Sequence, residues 1–197
     1  METVVIDYNA GNTQSVIFAL ERLGVSASLS RSKDQILAAD RVIFPGVGRA
    51  GAAMSSLREA DLVETIKSIR SPFLGICLGL QLMCEGSEED QTDGLGIFSS
   101  KVKKFEKTGE MRVPHMGWNY VQGEGPLFKG IPEKSRFYFV HSYYAEPSSE
   151  QTVGSSQYGP QFSSALADKN YYGVQFHPEK SGDVGEIVLK NFLEIEQ

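Results

Sequence analysis

Apolar and polar positions in the first half of the chain switch repeatedly between two periods. Thr3 to Asp7 is a short apolar run, the pattern of a strand buried on both faces. Thr13 to Leu23 then shows helical spacing and stops at Gly24. Ala27 to Ser30 predicts a second strand, and Ser32 with Gln35 gives a capping-box start to a brief helix. Arg41 to Phe44 is a third strand, Ala50 to Arg70 one helical stretch, and Phe73 to Ile76 a fourth strand followed by a helix from Leu78 to Cys84. Strands alternating with helices predict right-handed crossovers and a mostly parallel sheet flanked by helices, the α/β class. Ligands gather at the carboxyl ends of such strands. Three loops fall there: Tyr8 to Asn12, Pro45 to Gly48, and the turn at Cys77.

The second half changes pattern. Lys101 to Phe105, Arg136 to Val140, Ser163 to Ala167 and Tyr171 to Phe176 read as strands, with Asp168-Lys169-Asn170 as a hairpin loop. A last helix is expected from Asp183 to Ile195. This half should add an antiparallel portion that extends or flanks the main sheet. No repeat or linker divides the 197 residues, so a single domain over 1–197 is expected.

Composition narrows the function. Hydrophobic residues make up 41% and charged residues 22%, enough for an ordinary core. The formal charge of −6, without a basic run, argues against a nucleic-acid partner. The acidic cluster Glu85 to Asp93 reads most simply as a solvated loop. No apolar run approaches membrane-spanning length, and the N-terminus lacks the pattern of a signal peptide. Two cysteines suit a reducing, cytoplasmic setting. Cys77 and Cys84 lie two helical turns apart, so a disulfide between them is not expected, and Cys84 should pack on the helix.

The chemistry centres on Cys77. Gly75-Ile76-Cys77-Leu78-Gly79 is a G-x-nucleophile-x-G elbow between strand and helix. The glycines admit a turn against which nothing larger than hydrogen fits. The sulfur is left at a helix N-terminus, where the dipole and free N–H groups favour negative charge. His177 ends a strand in Gln175-Phe176-His177-Pro178-Glu179. Pro178 stops the strand and bends the chain, so the Glu179 carboxylate can return to the imidazole. Cys77, His177 and Glu179 thus make a candidate triad of nucleophile, base and orienter. His141 lacks a carboxylate at short range and reads as a structural or substrate-side residue. His115 reads as part of a loop folded on the core. No histidine pair has metal-ligand spacing.

Gly46-Val47-Gly48-Arg49-Ala50-Gly51 fits the dinucleotide fingerprint, but the acidic residue that fold needs would fall inside a helix. A better use of Gly46, Val47 and Gly48 is to present a backbone N–H to a developing oxyanion, with the N–H of Leu78 as second donor.

Pro45-Gly46-Val47-Gly48, the Cys77 elbow through Gln81, His141-Ser142-Tyr143 and Gln175 to Glu179 together resemble the class I, triad-type glutamine amidotransferases, in the family's order and over nearly the whole chain. Asp7-Tyr8, Gly11-Asn12, Ser15-Val16, Pro114 to Asn119 and Lys180-Ser181 are similar to the branch serving imidazole glycerol phosphate synthase in histidine biosynthesis. The resemblance implies glutamine as substrate, Cys77, His177 and Glu179 as its hydrolytic triad, and no cofactor. It implies a glutamine clamp from Gln81 and the backbone around Ser142 and Tyr143. It also implies a (β/α)8-barrel cyclase partner that receives the ammonia in a heterodimer, docking near Asn12, Trp118, Tyr138 and Lys180. Synthases for anthranilate, guanylate or pyridoxal phosphate, and a hydrolase acting alone on γ-glutamyl compounds, remain alternatives at this level.

Overall fold

The computed structural model describes residues 1–9 and 12–196. Ala10 and Gly11, in the first predicted loop, lie outside them. The first half runs β1 (Thr3–Ile6), α1 (Thr13–Arg22), β2 (Ala27–Ser30), α2 (Lys33–Ala38), β3 (Arg41–Gly46), α3 (Ala50–Glu59), α4 (Val63–Ser68), β4 (Phe73–Cys77) and α5 (Leu78–Met83). The expected single helix from Ala50 to Arg70 is two. Asp61 takes a left-handed φ of 52°, and the N–H of Leu62 turns back to the Leu57 carbonyl at 2.9 Å. That turn buries Leu62 completely, which a straight helix would not do.

The second half holds β5 (Gly86–Ser87), β6 (Thr92–Asp93), β7 (Lys101–Lys104), β8 (His115–Tyr120), β9 (Gln122–Gly123), β10 (Arg136–His141), β11 (Tyr143–Ala145), β12 (Thr152–Gln157), β13 (Gln161–Asp168), β14 (Tyr171–Val174) and α6 (Gly182–Leu193). The main sheet has the order β2-β1-β3-β4-β14-β13-β11-β7-β5-β6, with β12 and β9 attached beside β13. Its first five strands are parallel. From β13 onward the pairing is largely antiparallel, as the change of pattern predicts. Strand alternation sends Val4 and Ile6 to a core with α2 to α5, and Val5 to a core with α1 and α6.

Two further results differ from the expectations above. The segment at His115, expected as a loop, is β8. It pairs with β10 in a separate two-stranded sheet, with His141 opposite His115 and Tyr138 opposite Trp118. One face of this ribbon is apolar and buried: Phe137 and Phe139 pack with Phe162 and Phe176. Each such ring contributes about 2–3 kcal/mol by leaving water. The other face exposes Met116, Trp118 and Tyr120. The acidic cluster also has structure, described below.

Register positions the site. Gly46 lies opposite Cys77, so the loop after β3 lies beside the elbow. On the other side of β4, Val174 lies opposite Ile76, so Gln175, Phe176 and His177 leave the sheet next to the sulfur.

Candidate active site

The elbow is built by three glycines that cannot carry side chains. A Cβ on Gly79 would lie 2.1 Å from the Phe44 carbonyl oxygen, and one on Gly46 would lie 2.6 Å from the Gly79 nitrogen. A Cβ on Gly75 would meet the Met83 sulfur at 2.5 Å. Helix α5 is therefore pressed onto β3 and β4. Cys77, at the join, has φ 54° and ψ −107°, a conformation that costs a non-glycine residue roughly 1–3 kcal/mol. Such strain persists because the packing of α5 on β3 and β4 holds it.

His177 and Glu179 meet as the proline bend predicts. His177 Nδ1 donates to Glu179 Oε1 at 2.8 Å, with side-chain exposures of 2% and 1%. This fixes the tautomer and leaves Nε2 without a hydrogen-bond partner. Burial pulls the imidazole's proton affinity down, but the Cys77 sulfur and the Glu179 carboxylate outweigh it and hold His177 up at about 10. Pro178 and Lys180 lie in one short turn, and Ser181 Oγ donates to the His177 carbonyl at 2.6 Å, locking the bend.

The glycine loop carries its own supports. Tyr8, fully buried, donates its hydroxyl to the Pro45 carbonyl at 2.8 Å. Burial, and then the nearby Cys77 sulfur, push the phenol's pKa upward. Val47 and Gly48 are exposed, and Gly48 sits at φ +100°, open to space. Past the loop, Glu89 accepts from the Ala50 N–H at 2.8 Å, and Arg49 pairs with Asp90. These carboxylates come from the cluster expected to be a merely solvated loop. They hold the start of α3 instead, so that reading is corrected. The signal was their sign: acidic groups suit a helix N-terminus.

A buried polar chain lies behind the sulfur. Gln175 Nε2 donates to Cys77 Sγ at 3.7 Å, and Gln81 Nε2 donates to Gln175 Oε1 at 3.0 Å and to the Tyr143 carbonyl at 2.8 Å. Both donor directions of Gln81, expected to clamp glutamine, thus point into the protein. The Ser142 carbonyl accepts from the Phe105 N–H at 3.0 Å. His141 Nδ1 lies 2.7 Å from the Tyr143 carbonyl, which can only accept, so the proton sits on Nδ1. His141 Nε2 then accepts from His115 Nδ1 at 2.9 Å, and His115 Nε2 faces the Asn119 amide at 3.4 Å. Burial lowers His115 to about 4 and His141 to about 3. His141 is therefore structural in its contacts, and His115 is a strand residue of the same network. Gln175 belongs to the quoted Gln175 to Glu179 motif, but the sequence assigns it no role. Its one signal is a polar residue inside an apolar strand end.

Of the positions expected at a partner face, Trp118 is 54% exposed and meets the half-buried Tyr138 edge to face at 6.0 Å. Lys180 is exposed in the turn that follows His177. Asn12 is partly buried and accepts from Ser15 Oγ at 2.9 Å. Among the described residues no cluster of three or more His, Cys, Asp or Glu could hold a metal ion. Cys84 is free and fully buried. No described helix is long and apolar enough to cross a membrane.

Comparisons with known proteins agree with this layout. The chain is 52% identical over 197 residues to imidazole glycerol phosphate synthase subunit HisH of Bacteroides fragilis, covering 99% of this chain and 100% of that one. It is 49% identical over 192 residues to the subunit of the same name from Haemophilus influenzae, covering 96% of each. A crystal structure of a glutamine amidotransferase superposes with a TM-score of 0.75 at 18% identity, over 97% of each chain, which speaks to the fold alone. The model of the family "Glutamine amidotransferase class-I" matches residues 4–195. With an elbow cysteine, a buried His–Glu pair and that match over nearly its full length, the chain belongs to the class I glutamine amidotransferases.

Proposed function

We propose that this chain is the glutaminase subunit of an imidazole glycerol phosphate synthase, a cytoplasmic single-domain protein working in a heterodimer. It hydrolyses glutamine to glutamate and passes the ammonia to a (β/α)8-barrel cyclase and lyase partner in histidine biosynthesis. The observation that carries this reading is the 52% identity over full length to a subunit of that name.

Cys77 attacks the side-chain amide carbon of glutamine. Its proton resides on His177 before the attack, and the imidazolium then protonates the leaving ammonia. The raised proton affinity of His177 keeps that proton available until the C–N bond breaks. Glu179 holds the ring by its Nδ1–H and stabilises its charge. The tetrahedral oxyanion lies between the Leu78 N–H and an N–H of the Gly46–Gly48 loop. Water, deprotonated by the now neutral His177, hydrolyses the thioester to glutamate. Ser142 and Tyr143 line the glutamine subsite, and Gln81 supports its wall from behind. Ammonia released into water would protonate and be lost, so the partner must cap the site. Asn12, Trp118, Tyr138 and Lys180 form its docking face.

The test measures glutamate release and ammonia transfer by the chain alone and with the barrel partner carrying its nucleotide, using native chain and Cys77→Ser. The expected result is slow release alone, a large rise in the complex and loss with serine. Equal rates alone and in complex, or transfer only to an anthranilate, guanylate or pyridoxal phosphate synthase, would overturn the assignment.

A further inference from the structure

Gln175 is fully buried, and its side chain is held at both ends. Its oxygen accepts from Gln81 at 3.0 Å. Its amide nitrogen is 3.7 Å from Cys77 Sγ, within reach of an N–H···S hydrogen bond. Its backbone is fixed as well, since its N–H donates to the Ser164 carbonyl at 2.9 Å. Gln81 in turn cannot swing away, because its other N–H is tied to the Tyr143 carbonyl, which also accepts from His141. Every bond in this chain runs one way. The amide of Gln175 cannot flip without placing its oxygen against the sulfur and its N–H groups against those of Gln81. A glutamine that only filled space would not need this orientation. Besides Gln175, the sulfur faces the His177 imidazole and the Val140 carbonyl at 3.9 Å; that carbonyl accepts from the thiol but repels a thiolate.

We propose that Gln175 is a positioning residue for the nucleophile: its side-chain N–H holds the Cys77 sulfur and stabilises the negative charge on it, and Gln81 sets the direction of that N–H. The proposal rests on Cys77 being the nucleophile. The bond matters most before attack, when sulfur carries charge, and weakens as the C–S bond forms. Loss of the donor therefore lowers the reactivity of sulfur and kcat, and leaves glutamine binding nearly unchanged.

The test compares native chain with Gln175→Met, which keeps length and apolar volume but has no donor, and with Gln175→Glu, which keeps shape. Two quantities are read: kcat and KM for glutamine in the complex with the barrel partner, and the rate of Cys77 alkylation by iodoacetamide at neutral pH. Cys84 is fully buried, so the alkylation reports Cys77. For Gln175→Met the expected result is a fall of roughly tenfold in both kcat and alkylation rate, with KM within about twofold, the size of one lost hydrogen bond to a charged group. Gln175→Glu should be slower still, because a carboxylate replaces the donor. Kcat and alkylation both within about twofold of native would overturn the proposal. So would a raised KM with unchanged alkylation, which would make Gln175 a substrate contact. If Gln175→Met folds poorly, the alkylation rate of Gln175→Glu decides by the same criteria. Alkylation needs neither substrate nor partner, so this result stands apart from the Cys77→Ser assay that tests the proposed function.

Discussion

Two buried imidazole arrangements lie on neighbouring strand ends of this protein, and they differ in everything but burial. His177 sits between the Cys77 sulfur and the Glu179 carboxylate and is held at about 10. His141 and His115 have each other, a backbone carbonyl, an asparagine and a ring of aromatics, and are lowered to about 3 and about 4. Desolvation acts downward on all three. At His177 the Cys77 sulfur first, and then a carboxylate 2.8 Å away, reverse it; at His141 the Tyr143 carbonyl opposes it without reversing it. The same side chain thus holds a proton in one place and is a neutral linker in the other. The partner decides, which is why His-Pro-Glu, rather than any histidine, is the useful motif.

The largest test of this contrast removes the partner. Glu179→Gln keeps the size of the side chain but takes away its charge, and its amide N–H can face the ring. We expect kcat for glutamine in the complex to fall about 10³- to 10⁴-fold, as when a triad carboxylate is made neutral. The titration of His177, followed by NMR, should move down from about 10. Activity within tenfold of native would show that Glu179 does not orient the base.

A second change adds a partner where there is none. Asn119 faces Nε2 of His115 at 3.4 Å. Asn119→Asp places a carboxylate there and favours a proton on that nitrogen. The proton affinity of His115 should rise roughly tenfold to a hundredfold, read as an upward move of its NMR titration from about 4. An unchanged titration would mean that burial, and not the missing charge, governs this pair.

The same contrast explains what is legible in the sequence. Interactions within a few residues can be read. The elbow needs only Gly75, Cys77 and Gly79, and the His177–Glu179 bond spans two positions across a proline. The parallel half of the fold is readable because each strand is one apolar run. Interactions between distant segments are not. The bond from Gln175 to Cys77 crosses 98 positions, and that from Gln81 to the Tyr143 carbonyl crosses 62. Neither has a local pattern. Strand β8 is hidden because its inward positions are the buried His115 and the half-buried Gly117 and Asn119, none of them apolar in the ordinary sense, while Met116 and Trp118 face outward. The role of Glu89 is hidden because it lies with Ala50, 39 positions away.

The smallest effect, and the one that reads both arrangements at once, is the pH dependence of stability. An imidazole lowered by burial remains neutral in the fold but takes a proton when unfolded below about pH 6.5. The unfolded state then binds more protons, so stability falls as the pH drops from about 6.5 toward the folded values of about 4 and about 3 for His115 and His141. His177 has the opposite sign. The fold keeps its proton up to about 10, so its contribution is complete below about 6.5 and is lost as the pH rises from there through about 10. From these groups alone, stability should peak near pH 6.5. The measurement is the urea midpoint at a series of pH values. His115→Phe retains the stacking against Tyr158 and Phe139 but cannot titrate, and should flatten the acid limb only. His177→Asn should flatten the alkaline limb only. If either substitution changes the wrong limb, the assignment of neutral linker and charged carrier is reversed.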